Sequence, residues 1–229
     1  MSDDPFIPDT ALVDERLTRQ VTDPNDVRRR LADATRAVIR HLVSSSAPDA
    51  DLEEAVTAVE RAAAVLDAGA HDRAYVGVAE GSLISESREF IDYSPFMGFL
   101  NPMAPPMHIW HEGDRVIGTV TFGPQYEGPP GCLHGGYVAA AFDEVLGVTQ
   151  SLTGRAGMTA HLEIEYRTPT PLGHELRFVG QVDRTEGRKI YASATLHVGD
   201  RLCAEASGLF VSMRPDVLDR LLRIRGKDL

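Results

Sequence analysis

The chain has 229 residues, 43% of them hydrophobic and 25% charged, which fits a globular protein of one large domain or one domain with a sizeable appendage. Its formal net charge of -11 argues against a general nucleic-acid binder, although it leaves room for a local basic patch that grips one phosphorylated ligand. Cys132 and Cys203 form neither a disulfide framework nor a CxxC zinc pair, the acidic opening MSDDPFIPDT lacks the apolar stretch of a signal peptide, and no apolar run approaches the ~18 residues of a membrane span, so a cytoplasmic setting is expected.

Residues 1–73 are rich in Ala, Asp, Glu and Arg. Within them Val27, Leu31, Ala34, Val38, His41 and Leu42 recur at steps of three and four, which predicts an amphipathic helix started near Asp23-Pro24. Leu52, Val56, Val59, Ala63 and Leu66 form the stripe of a second helix, capped by Asp49 or Asp51 and stopped at Gly69. The pair reads as a helical hairpin, a packing or dimerisation element that buries its apolar faces. Residues 74–106, with four prolines and scattered aromatics, read as an irregular linker that wraps over a surface or a ligand opening. From Met107 the pattern is that of strands: Met107–His111 and Arg115–Phe122 flank the turn Glu112-Gly113-Asp114. A Gly- and Pro-rich loop leads to a helix over His134–Leu152, whose Ala139, Ala140 and Gly147 make it unusually small-sided. Four strands follow, Met158–Arg167, Glu175–Arg184, Lys189–Val198 and Arg201–Met213, and residues 214–229 end in a short helix. Two strands, one long helix and four strands predict an α+β fold, a curved antiparallel sheet wrapped around the helix, over 107–213.

The chemistry concentrates in the stretch Gly128-Pro129-Pro130-Gly131-Cys132-Leu133-His134-Gly135-Gly136, continued by the helix that carries Asp143 and Glu144. Two glycines at a helix start leave backbone N–H groups unshielded, and with the helix dipole they favour an oxyanion or a polarised carbonyl. Asp143 lies about 10 Å further along the helix, at ~1.5 Å per residue, too far to serve easily the same group held at its own Gly135. Glu144 points about 100° away from Asp143 and reads as a solvated or interface charge. His108 and His111 point to opposite faces of a strand, so no metal site is expected. Cys132 has no visible base partner.

The run resembles the HGG signature of PaaI-like hotdog-fold acyl-CoA thioesterases, in which His-Gly-Gly opens the central helix and an acidic residue follows nine positions after the His, as His134 and Asp143 do. The strand running from Met158 to Arg167, with Tyr166-Arg167-Thr168-Pro169 at its end, is similar to the family's first strand after the helix. The resemblance covers about Met107–Met213 and leaves the helical N-terminus unassigned. It implies hydrolysis of an acyl-CoA thioester, with Asp143 as general base or nucleophile and the N–H of Gly135, with Gly136, holding the carbonyl. It further implies His134 as the residue that fixes the loop, Thr159 as the hydroxyl that holds the water or the carboxylate, and a homodimer or dimer of dimers in which Gly135 of one subunit faces Asp143 of the other. Gly128 falls where some relatives carry a polar side chain, which Glu127 or Gln125 would have to replace. Coenzyme A is then part of the substrate rather than a cofactor, and its phosphates need cations, for which Arg167, Arg184, Arg188 and Lys189 are the candidates. A non-catalytic acyl-CoA-binding module, or another hotdog enzyme such as a hydratase or dehydratase, is the alternative.

Overall fold

The structure, a computed structural model, describes residues 23–69, 89–155 and 157–212. The short helix expected in 214–229 lies outside the described residues.

Helices α1 (Val27–Leu42) and α2 (Asp49–Ala68) are both present as expected, but they start and pack differently from expectation. Asp26, rather than Asp23-Pro24, caps α1: its carboxylate accepts from the N–H of Arg28 at 2.9 Å and of Arg29 at 3.1 Å. Pro48 is the cap position of α2, so Asp49 and Asp51 fall in the first turn, where their charge meets the helix dipole. The apolar stripes are not buried within one chain. Val27 is 71% exposed and Leu42 66%, α2 has no buried residue, and α1 is held instead through Ala32 and Arg36. A buried guanidinium that finds several carbonyl acceptors outcompetes the apolar face as the anchor of α1.

The linker contains one helical turn, Glu89–Asp92, and then lies against the body, with Ile91, Met97, Phe99, Ala104 and Met107 buried. Six strands follow in one antiparallel sheet: β1 (His108–Glu112), β2 (Arg115–Thr121), β3 (Gly157–Tyr166), β4 (Glu175–Glu186), β5 (Lys189–Val198) and β6 (Arg201–Ser212). Their order is β1-β2-β4-β5-β6-β3, which leaves β3 on an edge, hydrogen-bonded to β6 alone. Helix α3 (Gly135–Ser151) packs on one face of this sheet. Its Val138, Ala141, Phe142, Val145 and Leu146 join Leu176, Phe178, Ile190, Leu196 and Phe210 in a single core, with the rings of Phe142 and Phe178 edge to face at 5.2 Å. Gly180 of β4 permits the close approach of α3, because a Cβ there would run into the Thr149 hydroxyl. This is the α+β arrangement expected from the sequence, with every expected strand and the central helix in place.

Candidate active site

The loop before α3 is held by backbone bonds on both sides. His134 N–H donates to the Tyr126 carbonyl at 3.0 Å, Leu133 N–H to Thr170 at 2.8 Å, and the Leu172 N–H returns to Gly131 at 3.1 Å. Gly128 has no room for a side chain, since a Cβ would sit 2.7 Å from the Cα of His134. Neither suggested replacement fills the position. The Glu127 carboxylate is turned back on its own loop and accepts from Gly131 N–H at 2.6 Å. The Gln125 side-chain oxygen is buried beside Gly123 without a partner among the described residues.

At the start of α3 the two glycines differ. His134 is the cap residue, and its Nδ1 accepts from Gly136 N–H at 3.0 Å. That bond occupies the Gly136 donor and the Nδ1 lone pair together, so neither is open to a ligand. A Cβ on Gly136 would come within 3.1 Å of Nδ1 and press on the ring that makes this bond. The Gly135 N–H has no acceptor among the described residues. The phenol of Tyr166 donates to the Gly135 carbonyl at 2.9 Å, and its ring lies over the same residue. In the sequence Tyr166 stands out only as the aromatic that ends β3, with the aromatic-x-x-Pro pattern as its signal.

Nine positions after His134, the Asp143 carboxylate is exposed and accepts from the Thr159 hydroxyl at 2.8 Å. Thr159 and Tyr166 lie at opposite ends of β3, so the Asp143 end and the Gly135 end of α3 are separate places in one chain. Glu144 does not behave as a solvated charge. It is partly buried against the linker, where the Ser94 hydroxyl, itself fully buried, donates to Glu144 Oε1 at 2.9 Å. Burial pushes its carboxyl up from 4.5 to about 7, the neighbouring Asp143 adds to the rise, and the Ser94 bond opposes it. The 100° turn along the helix carries Glu144 away from the open side of α3 and under a segment fifty residues earlier in the chain.

Of the four cations expected for coenzyme A, Arg184, Arg188 and Lys189 lie together at the β4–β5 turn, and Arg167 stands apart from them. Lys189 is level with Met158 across β6, about nine residues along β3 from Arg167, or ~30 Å at ~3.3 Å per residue. Arg167 is paired with Glu165 and Glu205, Arg184 binds Glu186 at 2.8 Å and stacks on the Tyr191 ring at 3.6 Å, and Arg188 donates twice to the Ser212 carbonyl. Lys189 makes no salt bridge among the described residues.

A family model described as "Thioesterase superfamily" matches residues 130–205, the span from the loop before α3 to β6. A solved thioesterase superfamily protein is 33% identical, with a TM-score of 0.74 over 82% of this chain and 96% of that one. Among curated proteins, acyl-coenzyme A thioesterase THEM4 of Bos taurus is 42% identical over 104 residues, 44% of this chain and 43% of that protein. Human acyl-coenzyme A thioesterase THEM5 is 33% identical over 94 residues, 40% of this chain and 38% of that protein. The chain thus matches less than half the length of these curated relatives.

Proposed function

From the premise that this chain belongs to the thioesterase superfamily and has its hotdog fold, we propose that it hydrolyses an acyl-CoA thioester to the free acid and coenzyme A. The observation that carries this reading is the carboxylate of Asp143, exposed and aimed by Thr159 on the same helix that opens with the uncommitted N–H of Gly135. The thioester carbonyl accepts a hydrogen bond from Gly135 N–H, which at the positive end of α3 stabilises the negative charge that builds on the oxygen. Asp143 then takes a proton from a water whose oxygen attacks the carbonyl carbon, or attacks that carbon itself and is released from the anhydride by water. The coenzyme A thiolate leaves in either route.

The separation of the two ends of α3 makes a two-fold homodimer, or a dimer of dimers, part of the proposal, with Gly135 of one subunit opposite Asp143 of the other. Within the superfamily we place the chain among the PaaI-like, HGG-bearing enzymes on the spacing of His134 and Asp143. THEM4 and THEM5 are named acyl-coenzyme A thioesterases, which supports the choice of substrate class. Lys189 is the first candidate for a phosphate contact, because Arg167, Arg184 and Arg188 are already bonded.

The test is a panel of acyl-CoAs of graded chain length, with release of the free thiol as readout. Native protein should turn over part of the panel, and Asp143→Ala should lower kcat by at least ~100-fold with its fold intact. Acyl-CoA binding without thiol release from any member of the panel would leave only a binding module.

A further inference from the structure

Asp143 and Glu144 are consecutive, yet only Asp143 has a task in the proposed chemistry. Glu144 is held by Ser94, and Ser94 is fixed on every side. Its N–H donates to the Ile91 carbonyl at 3.2 Å, its carbonyl accepts from Gly98 N–H at 3.0 Å, and its hydroxyl oxygen accepts from Phe96 N–H at 3.2 Å. Gly98 is required for this turn, because a Cβ there would lie 2.7 Å from the Ser94 nitrogen. Four carbonyls just beyond are gathered by Arg36 of α1: Nε donates to Ala104 at 2.9 Å, and Nη2 to Gly98 at 3.0 Å, Phe99 at 2.7 Å and Asn101 at 2.8 Å. Asp33 holds the same guanidinium at 2.6 Å. Bonds therefore run without a break from α1, through the 94–104 segment, to the residue beside Asp143.

The sheet grips α3 on one side through Val138, Phe142 and Val145, and the Ser94–Glu144 bond grips it on another. We propose that Glu144 is a positioning residue, held by Ser94 and the Arg36-clamped segment, that fixes the rotation of α3 and hence the place of the Asp143 carboxylate. This rests on the reading of Asp143 as the reacting group. A carboxylate ~6 Å from the helix axis moves ~1 Å for a rotation of ~10°, and a ~1 Å misplacement costs ~100-fold in rate. The raised carboxyl of Glu144 agrees with a group buried for its geometry at a cost in charge.

The test uses the full chain and the acyl-CoA it turns over fastest. Glu144→Ala and Ser94→Ala should each lower kcat by ~10-fold or more with KM within ~2-fold, because position rather than substrate binding is lost. Glu144→Gln keeps an oxygen for the Ser94 hydroxyl and should stay within ~3-fold of native. The double variant should be no slower than the slower single, since both remove one bond. A folded Glu144→Ala with kcat within ~2-fold of native, a Glu144→Gln as slow as Glu144→Ala, or single effects that multiply would each overturn the proposal. Should Glu144→Ala not fold, an unchanged kcat in folded Ser94→Ala has the same force. Asp143→Ala is measured in parallel: if it keeps full activity, the catalytic reading falls, whereas an inactive Asp143→Ala beside an active Glu144→Ala sinks the positioning role alone.

Discussion

Thr159 holds one oxygen of Asp143 by a hydroxyl bond to a charged acceptor, a class worth ~1.5–3 kcal/mol, or about tenfold or more in rate if lost in the transition state. Thr159→Ala should therefore lower kcat about tenfold, and Thr159→Ser should restore most of it because the hydroxyl returns; equal kcat in the two variants would mean that the bond does not aim the base. Glu144 makes a separate statement about stability. Its folded carboxyl sits at about 7 against 4.5 in a free chain, so the folded state holds the proton more tightly. Stability from this group is full below about 4.5 and is lost as pH rises through about 7, by roughly 3 kcal/mol in total. Glu144→Gln cannot ionise, so in urea titrations its stability relative to native should improve between pH 4.5 and pH 8; a difference that is the same at both pH values would contradict the buried setting of this carboxyl.

At the scale of elements, Arg36 decides how α1 meets the rest of the chain. One guanidinium donates to four backbone carbonyls of the linker, and of these only that of Asn101 has a second donor among the described residues, the Ala104 N–H at 3.1 Å. Arg36→Ala should cost ~3 kcal/mol, the scale of removing one member of a buried charged network, and should raise amide hydrogen exchange across residues 94–104. Lys has no planar fork and cannot reach four acceptors, so Arg36→Lys should recover only part of that loss. Intact exchange protection in Arg36→Ala would show that the linker packs through Met97 and Phe99 alone. The start of α3 follows the same logic of close fit, since the Gly136 N–H is spent on the His134 ring and only Gly135 faces outward with a donor to offer.

At the scale of the whole molecule, three surfaces of one chain are left without partners among the described residues: the outer edge of β3, the apolar stripes of α1 and α2, and the side of α3 that carries Gly136 and Asp143. An open strand edge and exposed apolar stripes are features that self-association commonly covers. We predict at least a dimer by sedimentation, and a well-folded, active monomer would end this reading. Gly135→Pro removes the N–H at a first helical position, where Pro is otherwise tolerated. Mixing inactive Gly135→Pro with inactive Asp143→Ala subunits should recover about a quarter of native activity at random pairing, because each hybrid dimer keeps one intact site. No recovery after verified exchange would place both groups of a site in one chain.

The strands, the turns and α3 were legible in the sequence because their signals are local: alternation between glycine turns, a three-and-four repeat, and the run His134-Gly135-Gly136 nine positions before Asp143. The pairing of Asp143 with a hydroxyl on the next strand was legible as well, at Thr159, through resemblance. What the tertiary structure decided was each contact between segments far apart in sequence. Ser94 meets Glu144 across fifty residues and Arg36 reaches Gly98 across sixty-two, and no periodicity announces such a pair. The same holds for burial. A three-and-four repeat states which residues share a face of α1, but whether that face is covered depends on the neighbour that packs there, and here the buried anchors of α1 are Ala32 and Arg36 rather than the apolar stripe.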